Sequence, residues 1–143
     1  MRVIMIGLFE ILRPYEPYLA LLLRMVVGAT MVMHGYPKLK TPKQTLQWTK
    51  GLGVPVAATY AAIILEFFGG IALIIGLIVP IVALFIALEM IGNTVLKKTK
   101  MKATYISGQN PASYELDITY LLLAISLIVL GAGALSLDLL LRL

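Results

Sequence analysis

Residues 56–79 read VAATYAAIILEFFGGIALIIGLIV, and Glu66 is the one charged side chain in this stretch. A helix rises about 1.5 Å per residue and needs roughly 20 apolar residues to cross the hydrocarbon layer of a bilayer. The stretch is long enough for that crossing, and turn residues flank it: Gly53 and Pro55 before it and Pro80 after it. The pattern therefore predicts a transmembrane helix with a carboxyl group near its middle.

The rest of the chain repeats this pattern. Further spans are predicted from Tyr18 to His34, with a start near Pro14 or Pro17, from Pro80 to Leu96, and from Leu116 to about Leu135. Residues 1–12 are interpreted as an interfacial or packed leader, and residues 107–111 as a turn. Short connections favour an up-down bundle. We therefore expect an all-α, integral membrane protein, with one domain over residues 1–143 that forms a four-transmembrane-helix up-down bundle.

Composition supports a membrane location and excludes several kinds of chemistry. Only 13% of the 143 residues are charged, against about 25% in soluble domains. The absence of cysteine excludes disulfides, iron–sulfur clusters and thiolate zinc sites, and the single histidine excludes a bis-His haem in one copy. No nucleotide fingerprint is present. We expect no metal and no cofactor bound by this chain alone.

A short helix is predicted after the first span. Thr41 and Pro42 have the form of a helix start, with Thr41 as N-cap, Pro42 at the first position and Gln44 at the third. The helix would run to Gly51 and would carry Trp48 among lysines. That combination is typical of a helix lying at the membrane interface.

Basic residues predict the orientation of the spans. The loops after the first and third spans hold eight lysines: Lys38, Lys40, Lys43, Lys50, Lys97, Lys98, Lys100 and Lys102. The other side holds Arg2, Arg13 and Arg142. The positive-inside rule therefore places both long loops in the cytoplasm and both termini outside a multi-pass protein of the cell membrane. The same rule accounts for the net charge of +5 without nucleic acid as a partner.

Three of the predicted spans carry one ionisable residue each: Arg24, Glu66 and Glu89. Such a residue costs roughly 2.5–3.5 kcal/mol at the centre of a span, so it usually faces the bundle interior and has a partner. We expect Arg24 to pair with Glu66. The functional interpretation is a polar site for a quinone headgroup or a proton relay; the alternative is that these charges only fix helix register. Glu89 could instead face a subunit interface.

Polar residues at the cytoplasmic end of the first span extend this hypothesis. His34 can exchange protons near neutral pH, although an interfacial histidine bonded to a loop carbonyl is the alternative. Lys38 could bind substrate or lipid phosphates. Gly70 either allows close helix approach or clears space for a flat ring.

Three acids near the ends of the fourth span are interpreted as structural. Glu115 and Asp117 stand at its start, where negative charge stabilises a helix N-terminus. A role of these acids together with His34 is the alternative. Asp138 follows the glycines on the opposite side, and we expect it to form a clasp with Arg24.

Several motifs resemble the DoxX/DoxD family of small membrane proteins. The matching pieces follow the family order over nearly the whole chain: LRMVVG at 23–28, HGYPK at 34–38, GVP at 53–55, EFFGGIALIIG at 66–76, and GAGALSLD at 131–138 after Glu115. The resemblance implies four helices and a link to respiratory electron transfer. Family members include the membrane subunit of an archaeal thiosulfate:quinone oxidoreductase and small proteins associated with terminal quinol oxidases.

The resemblance and the residues together give one functional hypothesis and one rival. The chain would be the membrane subunit of a respiratory oxidoreductase, with quinone as its substrate and other membrane or peripheral redox subunits, or further copies of itself, as partners. The expected catalytic residues are Glu66, Arg24 and His34, and the expected quinone-binding residues are Glu89, Gly70 and Lys38. The rival is a structural or assembly subunit without quinone chemistry. A small transporter is a third option, which would need oligomerisation.

Overall fold

The computed structural model describes residues 10–106 and 112–142, and most of these residues are helical. The elements are α1 (Glu16–Lys40), α2 (Pro42–Gly51), α3 (Val56–Ile75), α4 (Val79–Lys100), α5 (Glu115–Leu130) and α6 (Leu137–Leu141), with a 3₁₀ turn (Arg13–Tyr15) before α1. The predicted all-α class is confirmed. The predicted turn at residues 107–111 and most of the predicted leader lie outside the described residues.

Three helical segments of the described residues are long and apolar enough to cross a membrane: Glu10–Lys40, Val56–Ile75 and Val79–Lys100. The helix α5, which packs along α4, has 16 residues. At 1.5 Å per residue it is about 24 Å long, less than the ~30 Å of the hydrocarbon layer. The fourth predicted span therefore stays a prediction.

The first long helix continues past the predicted end at His34 as far as Lys40, with Pro37 inside it. The carbonyl of Pro37 accepts hydrogen bonds from both the N–H and the hydroxyl of Thr41, each at 3.0 Å. The predicted helix α2 is confirmed, with Thr41 as its N-cap residue and Pro42 at its first position. The side chain of Thr41 makes no capping hydrogen bond to α2, because its hydroxyl donates back to α1. Because α1 extends to Lys40, Lys38 is part of this helix. The helix backbone therefore sets the position of the Lys38 side chain.

Glycines let α1 and α3 touch through their backbones. A Cβ atom placed on Gly28 would lie 2.7 Å from the carbonyl oxygen of Gly70, and one on Gly70 would lie 2.8 Å from that of Gly28. A Cβ on Gly35 would lie 2.6 Å from the backbone nitrogen of Phe67. Small residues allow such contacts between membrane helices. Gly70 thus lies at the contact between α1 and α3. Close helix approach was one of the two roles predicted for it.

The core is apolar and so is much of the outer surface. The core residues come from α1, α3, α4 and α5: Val27, Met31, Leu73, Val79, Val82, Ala83, Ile86, Ala87, Met90, Ala124 and Leu127. Large apolar side chains on the outside include Met33, 74% exposed, and Val129, 81% exposed. A surface with this much exposed apolar area is suited to contact with lipid.

The arrangement of the helices makes the predicted orientation testable. Because the chain has no natural cysteine, single cysteines can be introduced without background labelling. Those at Lys43 and Lys100, both exposed at the lysine-rich end, should be protected from a membrane-impermeant thiol reagent in intact cells. A cysteine at Ile78, which is 42% exposed in the turn between α3 and α4, should react. The opposite labelling pattern would place both lysine-bearing loops outside the cell.

Candidate functional site

A cavity of about 1140 Å³ lies between α2, α3 and α4 at the lysine-rich end of the bundle. Its α4 wall is formed by residues 85, 88, 89, 92, 93, 96 and 97, whose spacing by three and four places them on one helix face. Most of the lining is apolar, and three aromatic residues, Trp48, Phe68 and Phe85, contribute to it. A mostly apolar wall with a few polar groups is typical of a small-molecule site.

Glu66 and Lys38 form an ion pair at this cavity. Glu66 is only 3% exposed and lies in a π-helical turn of α3, Leu65–Gly69; such turns are frequent at functional sites. The ammonium of Lys38 donates to Oε1 of Glu66. The close contact of Gly35 with α3 holds α1 near enough for this pairing. The Lys38 side chain remains 37% exposed and also lines the cavity.

Glu89 faces the same space from α4. Its two carboxyl oxygens, like Oε2 of Glu66, are buried and accept no hydrogen bond from a donor of the described residues. The carboxyl groups of Glu66 and Glu89 are close enough to share a hydrogen bond when one of them carries a proton. Two adjacent carboxylates repel each other in a low dielectric. The pair is therefore suited to holding and exchanging a proton.

A second ion pair connects the cavity to α5. The ammonium of Lys97, which lines the cavity, lies 2.9 Å from Oδ1 and 2.8 Å from Oδ2 of the buried Asp117. Sequence reasoning missed Lys97 because it stands at the head of a uniform basic tract. Lys97 stands eight residues after Glu89, a spacing that places both residues on one face of a helix. This spacing could have identified Lys97 as a residue of the same site. Glu115 lies half-buried outside the cavity lining.

His34, predicted as catalytic, does not line the cavity. It is an exposed residue of α1, and a step of one residue turns a helix by about 100°. Because Gly35 faces α3, the preceding residue His34 points elsewhere. Gly70 likewise stays at the α1–α3 contact and is absent from the lining, while its neighbour Gly69 belongs to it.

The prediction that Arg24 forms a salt bridge with Glu66 or Asp138 is wrong. Arg24 is fully buried, and its Nη2 donates to the carbonyls of Ala134, at 2.8 Å, and Leu135. No acid among the described residues lies within salt-bridge distance of it. The segment after α5 is irregular, so its carbonyls need donors from elsewhere. Arg24 supplies them, about 21 Å along α1 from Lys38 at 1.5 Å per residue.

Asp138 also binds backbone rather than Arg24. Its carboxylate oxygens accept from the N–H groups of Ile78, at 2.6 Å, and Val79, at 2.9 Å, and its own N–H donates to the carbonyl of Gly76 at 2.9 Å. The carboxylate thus satisfies free donors at the start of α4, where negative charge is favourable. The expected direct clasp is replaced by two sets of backbone bonds, which close the end of the bundle away from the cavity.

The fold and the site define a helical membrane protein with a charged, ligand-sized cavity at one end. The sequence matches the DoxX family model over residues 19–98, which include most of α1, all of α2 and α3, and most of α4. The chain belongs to the DoxX family, as the sequence motifs predicted.

Two relatives are each 31% identical to this chain over the aligned residues. One is "Putative oxidoreductase CatD" of Bacillus subtilis (strain 168), 31% identical over 118 residues, or 82% of this chain and 83% of that protein. Another is "Inner membrane protein YqjF" of Escherichia coli (strain K12), 31% identical over 126 residues, or 85% of this chain and 91% of that protein. No solved structure matches the chain significantly.

The closed end of the bundle can be tested with a pair of glycine variants. Gly76 has a φ of +73°, and a Cβ there would lie 1.6 Å from Nη1 of Arg24. Gly76→Ala should therefore destabilise the protein by more than about 2 kcal/mol. Gly92→Ala is the control, because its Cβ would meet open space and alanine favours helix by up to about 1 kcal/mol. Equal thermal unfolding of both variants in detergent would contradict the assigned role of Arg24.

Proposed function

We propose that this DoxX-family chain is the membrane subunit of a respiratory oxidoreductase and that its cavity binds quinone or quinol. The carboxyl pair of Glu66 and Glu89, with Lys38 bound to Glu66, inside a mostly apolar cavity is the observation that carries the proposal. A quinone has a flat ring, a greasy tail and two oxygen atoms. Apolar walls would accommodate the first two, and the carboxyl pair and lysine would meet the oxygens.

The outer face of the cavity supports entry from lipid. Four of the lining residues on α3 and α4 are also exposed on the apolar surface of the protein, each by more than half: Ile64, Phe68, Phe85 and Leu88. A ligand dissolved in the bilayer could reach the cavity between these side chains. Its tail would then remain among lipid chains while the ring lay near Glu66.

Interconversion of a quinone and a quinol transfers two electrons and two protons. In this proposal the carboxyl pair exchanges the protons with the ligand oxygens, a role that suits acidic groups within hydrogen-bond reach. The electrons come from a redox centre of a partner subunit, because the chain has no cysteine and its one histidine lies outside the cavity lining. The name of the Bacillus relative, "Putative oxidoreductase CatD", supports the oxidoreductase part of this proposal.

The proposal also includes the placement of the helices and the termini relative to the membrane. We place α5, together with the residues around it, as the fourth span and α2 at the membrane interface, with Trp48 toward the lipid headgroups. Both termini lie outside, and the lysine-rich end faces the cytoplasm. The cavity then opens near the cytoplasmic surface, where a peripheral redox subunit could reach it.

A structural or assembly subunit is the rival function. The two ion pairs, Lys38 with Glu66 and Lys97 with Asp117, each connect two helices and could serve only to fix their register. This function needs no ligand in the cavity and no proton exchange by Glu66. The two proposals therefore differ in what a change at Glu66 does to turnover.

Substitution of Glu66 separates them. Glu66→Gln retains shape and an oxygen that accepts from Lys38, but it loses proton exchange. Quinone-coupled turnover of the complex purified from native membranes should fall by roughly 100-fold or more, with the yield of complex nearly unchanged. Glu66→Leu should lower the yield as well, because it leaves Lys38, rather than Arg24 as the sequence suggested, without its partner.

The matched control is Glu115→Gln, the same change at a half-buried acid outside the cavity lining. Its yield and turnover should both equal those of the wild type. If Glu66→Gln also turns over at the wild-type rate, the quinone proposal is wrong and the structural function remains.

A further inference from the structure

The lining of the cavity differs on the two sides of the carboxyl pair. Toward the lysine-rich end it includes polar side chains from four helices: Lys38, Gln44, Thr45, Thr59, Asn93 and Lys97. On the other side, toward the turn between α3 and α4, the lining residues are apolar: Phe68, Gly69, Phe85 and Leu88. The carboxyl groups of Glu66 and Glu89 therefore lie at the boundary between a polar and an apolar part of one cavity.

Polar side chains continue along α4 from Glu89 to the lysine-rich end. Asn93 and Lys97 follow Glu89 by four and eight residues, so they lie on the same face of the helix, about 6 and 12 Å along its axis. Lys38 reaches the pair from α1 through its contact with Glu66. These groups can hydrogen-bond water molecules between the pair and the surface, and acids and bases can exchange protons through such water.

The charged groups next to Glu89 belong to this side of the cavity as well. Lys38 binds Glu66, and Lys97 binds Asp117 at the start of α5. Glu66, Lys38 and Asp117 all act on Glu89 electrostatically. Because both lysine side chains are partly exposed, the charges around the pair are continuous with the water at the lysine-rich end.

This part of the cavity is open at the surface. Thr41, Gln44 and Gly92 are exposed, and Asn93 is half-exposed. A Cβ atom on Gly92, about one helical turn from Glu89, would meet open space. Water can therefore reach the neighbourhood of the pair from the lysine-rich end.

A packed apolar core separates the pair from the closed end. The separating residues on α3 and α4 are at most 6% exposed: Leu73, Val79, Val82 and Ile86. Protein interiors leave few voids as large as a water molecule, and these side chains offer water no hydrogen bond. The carboxylate of Asp138, at the N–H of Val79, lies about 15 Å along α4 from Glu89. Among the described residues, no polar side chain bridges that distance.

We propose that the carboxyl pair of Glu66 and Glu89 exchanges protons with water at the lysine-rich end alone, through the polar part of the cavity. The inference rests on the proposed function in one respect, because it identifies the side of the membrane that supplies or receives the protons of that reaction. The route itself follows from the arrangement of polar and apolar residues, so it can be tested without a ligand or a partner subunit.

Two positions on α4 provide a matched pair of probes. Gly92 and Phe85 both line the cavity and are both exposed, three residues after and four residues before Glu89. Because the chain has no cysteine, a thiol introduced at either position reports on one side of the pair. In lipid nanodiscs a charged thiol reagent should modify Gly92→Cys roughly 100-fold faster than Phe85→Cys, since charge is costly in hydrocarbon.

A neutral, lipid-soluble thiol reagent is the control for this comparison, and it should modify both variants. Equal rates with the charged reagent would show that the two sides of the pair do not differ in access to water. That result, or a failure of the charged reagent to modify Gly92→Cys, would overturn the proposed route.

The side of entry is measured in sealed membranes. An impermeant thiol reagent should reach Gly92→Cys from the same side as Lys100→Cys and from the side opposite to Ile78→Cys. This comparison holds whichever end of the bundle faces the cytoplasm. Modification of Gly92→Cys from the side of Ile78→Cys would contradict the inference.

Hydrogen–deuterium exchange tests whether protons use this route. The infrared band of a protonated carboxyl group shifts in heavy water, and loss of the band in Glu89→Gln assigns it to the pair. A bulky label on Gly92→Cys should slow the exchange several-fold, because it occupies the open space beside the pair. The same label on Ile78→Cys should leave the rate unchanged, because the closed end takes no part.

The outcomes separate this inference from the proposed function. If the pair shows no such band, or if the label on Gly92→Cys does not slow the exchange, the inference is wrong and quinone binding stands. The same holds if the label on Ile78→Cys slows it. Wild-type turnover of Glu66→Gln would instead remove the proposed function and leave the measured access to the pair as it is.

Discussion

The backbone contact between α1 and α3 is the constraint on which the rest of the structure depends. Lipid tails are as apolar as the side chains of a protein core, so burial of apolar side chains does not by itself hold membrane helices together. Such helices associate through close packing of small residues. Gly28 and Gly70 meet at one level, and Gly35 meets Phe67 at another. Any larger side chain at these glycines would separate the helices and move Lys38 away from its ion pair.

The two ends of the bundle satisfy their charges in different ways. At the closed end Arg24 and Asp138 bind backbone groups of irregular segments, and Gly76 leaves room for the guanidinium. Nε and Nη1 of Arg24 are nevertheless buried there without a hydrogen-bond partner among the described residues. At the open end Oε2 of Glu66 and both carboxyl oxygens of Glu89 have no hydrogen-bond partner in the part of the chain that the structure describes, and they lie next to a large cavity. Unsatisfied polar atoms are costly away from water, and at the open end the cavity leaves room for a ligand to reach them.

The proposed function uses both kinds of surface in the cavity. Apolar walls and exposed aromatic side chains would accommodate a ring with a greasy tail, and the carboxyl pair together with Lys38 would meet the polar atoms of that ring.

The sequence by itself determined the class of the protein, the helical segments, the helix at Pro42–Gly51 and the residues too costly to face lipid, including Glu66 and Glu89, because these follow from composition and local period. It also placed Lys38 beside the site. Only the tertiary structure decided which partner each charge has: Lys38 rather than Arg24 for Glu66, and Asp117 for Lys97. Partner choice depends on the distances between segments far apart in the chain and on which backbone groups their packing leaves without hydrogen bonds.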